Sequence, residues 1–277
     1  MPNKYVRAFI VAIVFLTTRE CVGKKKDANM QSLSQCVKQK RKLGFDHLWD
    51  LIKDAFIINK NLFHADSFKI LASAFPVITA GFMADSAIHK NYYCYDHHKN
   101  INQMHCNCHK FAESWAVPLV ATTAAGCFVF SHNENLRQTS RAFILGLPFV
   151  ILVSDILKWI IKVDTCYRPF NERFYRNRSV TGFPSTHAAQ ITYAAVLFGM
   201  RLGPAWGIPL GIIDAFIGFS CLNDNRHFFS QYLGGMTLGA LYAFAADKLV
   251  HDKLKKLDVC FTLEAPRKPV VKVGFRF

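Results

Sequence analysis

The stretch Gly182-Phe183-Pro184-Ser185-Thr186-His187, with the apolar run behind it, decides how the rest of this chain is read. Pro184 suits a first helical position, where a missing N–H costs nothing. Ser185 and Thr186 bring hydroxyls and backbone N–H groups to a helix N-terminus, a ready seat for an anion. His187 at the same spot can move a proton near neutral pH. A small anion held beside an imidazole is the start of a phosphoryl-transfer site. Taken alone, the stretch is equally a capped helix start with a surface His.

The apolar run is one of six. Segments at roughly 68–84, 115–131, 142–162, 187–202, 205–222 and 231–250 are rich in Ala, Leu, Ile, Phe and Gly without sustained alternation, which predicts helices. The chain is 51% hydrophobic yet carries a net charge of +15. Its charges lie between the apolar blocks, as in a membrane protein. Several segments are near the lower length limit for spanning and some carry Thr, Asp or His, so a soluble bundle with a very apolar core is the alternative. The basic balance fits the positive-inside rule and attraction to anionic lipid heads. Nucleic acid is not an expected partner, since no zinc-finger spacing, RNA-binding signature or base-reading basic helix is present.

Outside the bundle, residues 1–21 hold a basic start and the apolar run Ala8 to Leu16. This reads either as a signal peptide or as an uncleaved anchor. Residues 22–67 are polar and basic, with a short amphipathic helix over Leu48 to Ile58 that places Leu48, Leu51, Ile52, Ala55 and Phe56 on one face. Such a helix can lie on a membrane or pack on the bundle. Residues 68–250 form the bundle, with the motif core at 142–250, and 251–277 form a polar tail whose last residues alternate partly, as a short strand does.

Charge sets the expected orientation. Residues 22–67 carry nine Lys or Arg and residues 251–277 carry seven, against three in the loop 85–114. With six spans, this bias puts both termini in the cytoplasm and the loops 163–186 and 223–230 outside. A cleaved signal peptide would reverse that, so an anchor with a site facing outward from a bacterial cytoplasmic membrane is the favoured arrangement. A soluble periplasmic form after cleavage is the alternative.

Nine cysteines, an odd number, do not fix the redox compartment. Cys127 and Cys221 sit in apolar runs as packing residues. The loop 85–114 holds His89, Cys94, His97, His98, His105, Cys106, Cys108 and His109. Its spacing matches no standard zinc motif. A disulfide from Cys94 to Cys106 or Cys108 is the more ordinary reading outside the cytoplasm.

Two further patches join the first. Lys158 and Lys162 stand one helical turn apart at the end of an apolar helix, followed by Arg168-Pro169. Such lysines also serve simply to reach lipid heads, whereas Arg168 offers a planar fork for phosphate. The other patch is Ser220-Cys221-Leu222-Asn223-Asp224-Asn225-Arg226-His227, with Gln231 four residues on and Gly234-Gly235 beyond.

In this order the patches resemble the type 2 phosphatidic acid phosphatase/haloperoxidase superfamily, whose pattern is a Lys then Arg-Pro, a Pro-Ser-Gly-His, and a Ser-Arg with a His six residues after the Arg and an Asp four after that His. The likeness covers about residues 142–250. It implies an all-α, six-helix membrane-embedded bundle acting on a lipid phosphate or diphosphate such as phosphatidate or a polyprenyl diphosphate, with membrane lipids around it and no metal or cofactor. It also implies roles. His227 attacks phosphorus and forms a phosphohistidine; His187 protonates the leaving oxygen and then activates water. Gln231 stands where an Asp orients the nucleophile. Lys158 or Lys162, Arg168, Ser185 and the backbone around Thr186 bind phosphate.

The pattern is not followed throughout. Lys158 is three residues too far from Arg168 and Lys162 one too close, with Lys158 preferred. Thr186 replaces Gly. Cys221 stands at a phosphate-binding Arg, a charge that Arg226 can take over. Gln231 cannot stabilise an imidazolium as a carboxylate does; Asp224 and Asp214 are possible substitutes. The alternatives are therefore a degenerate member that binds lipid phosphate without turnover, and a soluble acid phosphatase or haloperoxidase on the same scaffold.

Overall fold

The computed structural model describes residues 48–92, 115–161, 182–223 and 227–263, which form seven helices and no strand. They are α1 (48–61), α2 (Ala65–Tyr92), α3 (Val117–Phe130), α4 (Glu134–Ile161), α5 (Thr186–Leu202), α6 (Pro204–Asn223) and α7 (Phe229–Leu263). The six apolar segments fall in α2 to α7, and the short amphipathic segment is α1. The expected leader, most of the His/Cys loop, Lys162, Arg168, Arg226, Asp224 and the last residues of the tail lie outside the described residues.

α5 is the central helix. Ten of its seventeen residues are buried, on every side, and it packs against α4, α6 and α7. Small residues allow the close approach. A Cβ on Gly239 of α7 would stand 2.4 Å from the Ala189 carbonyl oxygen, and one on Gly207 of α6 would stand 2.8 Å from the Gly199 Cα. Tyr193 fills the centre. Its hydroxyl donates to the Ala142 carbonyl at 2.7 Å, and its ring lies 5.1 Å from that of Phe143.

The outer helices turn apolar side chains outward. Phe75 and Met83 of α2, Trp159 of α4 and Ile212 of α6 are all more than 60% exposed. Contiguous outward apolar surface on long helices is what a bilayer covers. Ala65–Ile88, Glu134–Ile161 and Pro204–Leu222 are long and apolar enough to cross a membrane. The expected count of six spans is not reached on this measure. At about 1.5 Å per residue, the 14 residues of α3 rise about 21 Å, short of a hydrocarbon core about 30 Å thick.

Two boundaries differ from expectation. α7 continues to Leu263, so the start of the expected tail is helix. α1 packs on the bundle through Leu51, Asp54 and Ile58, with Ala55 against the same core, so the expected face divides: Leu51 and Ala55 turn inward while Leu48, Ile52 and Phe56 stay exposed. The buried Asp54 carboxylate decides that face: Arg141 of α4 approaches it at 2.7 Å and Lys253 of α7 also pairs with it.

Candidate active site

Two helix N-termini, those of α5 and α7, are laid side by side by the segment 182–185. The Ser185 N–H donates to the backbone carbonyl of Gln231 at 2.9 Å. Three glycines set the spacing. A Cβ on Gly182 would stand 2.7 Å from Gln231 Oε1, one on Gly234 would stand 2.6 Å from the Phe183 ring, and one on Gly235 would stand 2.3 Å from the Ser185 carbonyl oxygen. The two His motifs are thus held together although 40 residues separate His187 from His227 in the chain.

Ser185 is the N-cap of α5. Its Oγ accepts from the Ala188 N–H at 3.5 Å, and the residue is 1% exposed. Pro184 consequently precedes the cap rather than opening the helix, which begins at Thr186. The Ser185 hydroxyl is thus engaged in the cap, while Thr186 and His187 are only half-buried at the first turn. Lys158, near the end of α4, donates to Thr186 Oγ1 and pairs with Asp155 at 3.2 Å. Its side chain is 15% exposed. A cation is therefore held at the positive end of α5, where an anion is the natural counterpart.

The start of α7 carries the second imidazole. His227 precedes Phe228, the residue before the helix, and its N–H donates to the Cys221 carbonyl at 3.4 Å. Gln231, fully buried, reaches back from the first turn. Its Oε1 accepts from the Phe228 N–H at 3.1 Å and lies 3.0 Å from His227 Nδ1. A backbone N–H can only donate, so the Gln231 atom facing it is the oxygen. That oxygen can only accept, so Nδ1 of His227 carries the hydrogen. The Nε2 lone pair is then the one not committed to Gln231. This is the tautomer a nucleophilic His needs.

Cys221 is 4% exposed, and among the described residues it packs with the apolar Ala116, Val117, Ile191 and Ile217. Asp214, a candidate for the carboxylate role at 231, is buried and engaged beside α7. Thr192 donates to it, and its backbone carbonyl accepts from the Tyr232 hydroxyl at 2.9 Å. No group of three or more metal-ligating side chains occurs among the described residues.

One residue at this site was not legible in the sequence. Asp85 of α2 accepts from the Ser230 N–H at 2.9 Å and the Ser230 hydroxyl at 2.6 Å. Nothing local to Asp85 signals a partner 145 residues away. Its neighbour Phe82 stacks on Phe183 of the motif segment, with ring centroids 5.7 Å apart.

The model of the PAP2 superfamily matches residues 139–255. A crystal structure described as that of the first transmembrane PAP2 type phosphatidylglycerolphosphate phosphatase, from Bacillus subtilis, is similar with a TM-score of 0.51 at 21% identity. The likeness covers 69% of this chain and 96% of that one, and it is a likeness of fold. No curated protein matches the chain. The matched segment holds Lys158, Ser185, Thr186, His187, His227 and Gln231, and over it the chain is similar to the PAP2 superfamily.

Proposed function

We propose that the chain hydrolyses the phosphate monoester or diphosphate of a membrane lipid through a phosphohistidine on His227. The observation that carries this reading is the pair of hydrogen bonds on Gln231 Oε1, which fix the hydrogen of His227 on Nδ1 and leave Nε2 as the nucleophile. In the first step Nε2 attacks phosphorus as the P–O bond to the lipid breaks, and His187 gives its proton to the departing oxygen. In the second step His187 takes a proton from water, the water oxygen bonds phosphorus and the N–P bond breaks. Lys158, the N-terminus of α5, Arg168 and Arg226 neutralise the oxygens of the transferring group. Positioning and charge of this kind make up most of phosphoryl-transfer catalysis.

The outward apolar faces of α2, α4 and α6 suit a lipid tail entering beside a cationic pocket. Phosphatidate, phosphatidylglycerolphosphate and polyprenyl diphosphates are the substrates to test. With six helices crossing the membrane, the basic flanks, 22–67 and 251–277, favour a site on the side opposite the cytoplasm of a bacterial cell membrane. The experiment is phosphate release from these lipids in detergent micelles by the full chain, with His227→Ala and His187→Ala as controls. Activity lost in both variants supports the reading; wild-type protein with none of it removes it.

A second reading is a member that binds lipid phosphate without turnover. The apolar surroundings of Cys221 favour it, because they replace one cation of the family pattern with packing. Saturable binding of a lipid phosphate, with no phosphate released, distinguishes it.

A further inference from the structure

Helix α7 is capped in two halves. In an ordinary capping box, the residue before the helix accepts the N–H of its second or third residue through its own side chain, and the third residue reaches back to the capping N–H. Here the residue before the helix is Phe228, whose side chain has no oxygen or nitrogen to serve as a cap. Gln231, the third residue of the helix, performs the backward half on the Phe228 N–H. The forward half comes from another helix: Asp85 of α2 takes the N–H of Ser230, the second residue of α7, together with its hydroxyl. Ser230 is fully buried and Asp85 is 9% exposed, so the carboxylate sits inside the protein against the positive end of α7.

We infer that Asp85 supplies, from α2, the negative charge that the neutral Gln231 does not bring to the nucleophilic imidazole. Gln231 keeps the geometry, one acceptor shared by Phe228 N–H and His227 Nδ1. Asp85 keeps the charge, one residue along the same helical turn. Asp85 is thus a positioning residue acting through Ser230 and the first turn of α7. The inference rests on His227 being the nucleophile, as proposed above, but its physical core concerns only the charge beside that ring. Among the described residues, the other charged or titratable groups around this end include Lys158 and Asp155 of α4, His187 of α5, Asp214 and Cys221 of α6 and Tyr232 of α7 itself. Asp155 is paired with Lys158, and the Asp214 side chain is engaged by Thr192 and by the Tyr232 hydroxyl, whereas Asp85 is the carboxylate that accepts a backbone N–H of the first turn of α7.

The test uses the full chain in detergent micelles and four proteins: wild type, Asp85→Asn, Gln231→Asp and the double variant. Asparagine at 85 retains an acceptor for the Ser230 N–H and can donate to the Ser230 hydroxyl, so it removes charge while keeping the cap. The first readout is the pH at which the His227 ring titrates by NMR, assigned with His227→Ala. A carboxylate favours the charged imidazole. Asp85→Asn is expected to move the midpoint down by about half a pH unit or more, and the double variant to restore it. The second readout is the pH–rate profile, whose acid limb is expected to move with the midpoint. An unchanged midpoint in Asp85→Asn, or no restoration in the double variant, overturns the inference. Wild-type protein that releases no phosphate would overturn the proposed function alone, because the NMR titration does not depend on turnover.

Discussion

Gln231 Oε1 lies 3.0 Å from His227 Nδ1 and gives that imidazole a neutral partner held in place by the helix it opens. The same oxygen also accepts the Phe228 N–H, so geometry and capping depend on one atom. Gln231→Leu, close in size, deletes both bonds. We expect kcat to fall by about a hundredfold or more, as for other groups that set a catalytic tautomer. Stability should fall by about 1–3 kcal/mol, the cost of leaving a buried donor without its partner. Kinetics on a lipid phosphate and a thermal melt check the two numbers.

Gly182 is expected to tolerate no side chain. The Cβ of Gly182→Ala meets the Gln231 carboxamide at 2.7–3.0 Å, so the amide must turn away from His227. The expected result is loss of kcat by about tenfold or more with little change in KM, since a misplaced nucleophile weakens the reacting geometry rather than binding. Gly235→Ala drives its Cβ into backbone, 2.3 Å from the Ser185 carbonyl oxygen. It should cost about 1–3 kcal/mol of stability as well as activity.

Lys158 bridges α4 and the start of α5 through Thr186. Lys158→Met keeps the stem and removes the ammonium. The expected outcome is a loss of about a hundredfold in kcat/KM, typical of deleting one charge from a phosphoryl-transfer pocket. Thr186→Val, which removes only the hydroxyl contact, should cost far less. Equal losses in the two variants would mean that Lys158 acts by holding Thr186 and not by meeting phosphate.

At the far end of the bundle, Asp54 holds α1 against α4 and α7 through Arg141 and Lys253. Asp54→Ala leaves two partly buried cations facing each other, and a loss of about 3–5 kcal/mol is expected. Burial, chiefly, with Arg141 nearby, holds the Lys253 ammonium below its ordinary range although Asp54 pulls the other way. A lowered folded value means that the charged form burdens the folded state, and the burden lifts as pH rises through that value. The melting-temperature gap between Asp54→Ala and wild type should therefore narrow on the alkaline side of neutrality. Thermal melts across that range check it, and kcat below the melt should be unchanged.

The helices were legible in the sequence because each apolar run was long and unbroken, and the order of the three patches was legible because it survives substitutions at single positions. The junction between α5 and α7 was half legible. Ser185 reads as a cap, but that Pro184 precedes it depends on the Ser185 N–H finding the Gln231 carbonyl, a contact no local rule contains. Gln231 looked like a loss, since a carboxylate was expected there. Its value as a shared acceptor emerges only with the Phe228 N–H in place. The apolar face of α1 was legible only in part: Leu51 and Ala55 meet the core, while the Asp54 ion pairs rotate the helix so that Leu48, Ile52 and Phe56 stay exposed. Asp85 was invisible for the same reason in sharper form, its partner being far away in the chain.

The most direct test of the central claim is capture of the covalent intermediate. Full-length protein is mixed with a lipid carrying labelled phosphate, quenched in alkali, where phosphohistidine survives, and mapped by peptide mass spectrometry. Label is expected on His227 in wild-type protein, more of it in His187→Ala if loss of the base slows water attack more than lipid departure, and none in His227→Ala. Phosphate release from wild-type protein with label on another residue, or persisting in His227→Ala, would contradict it.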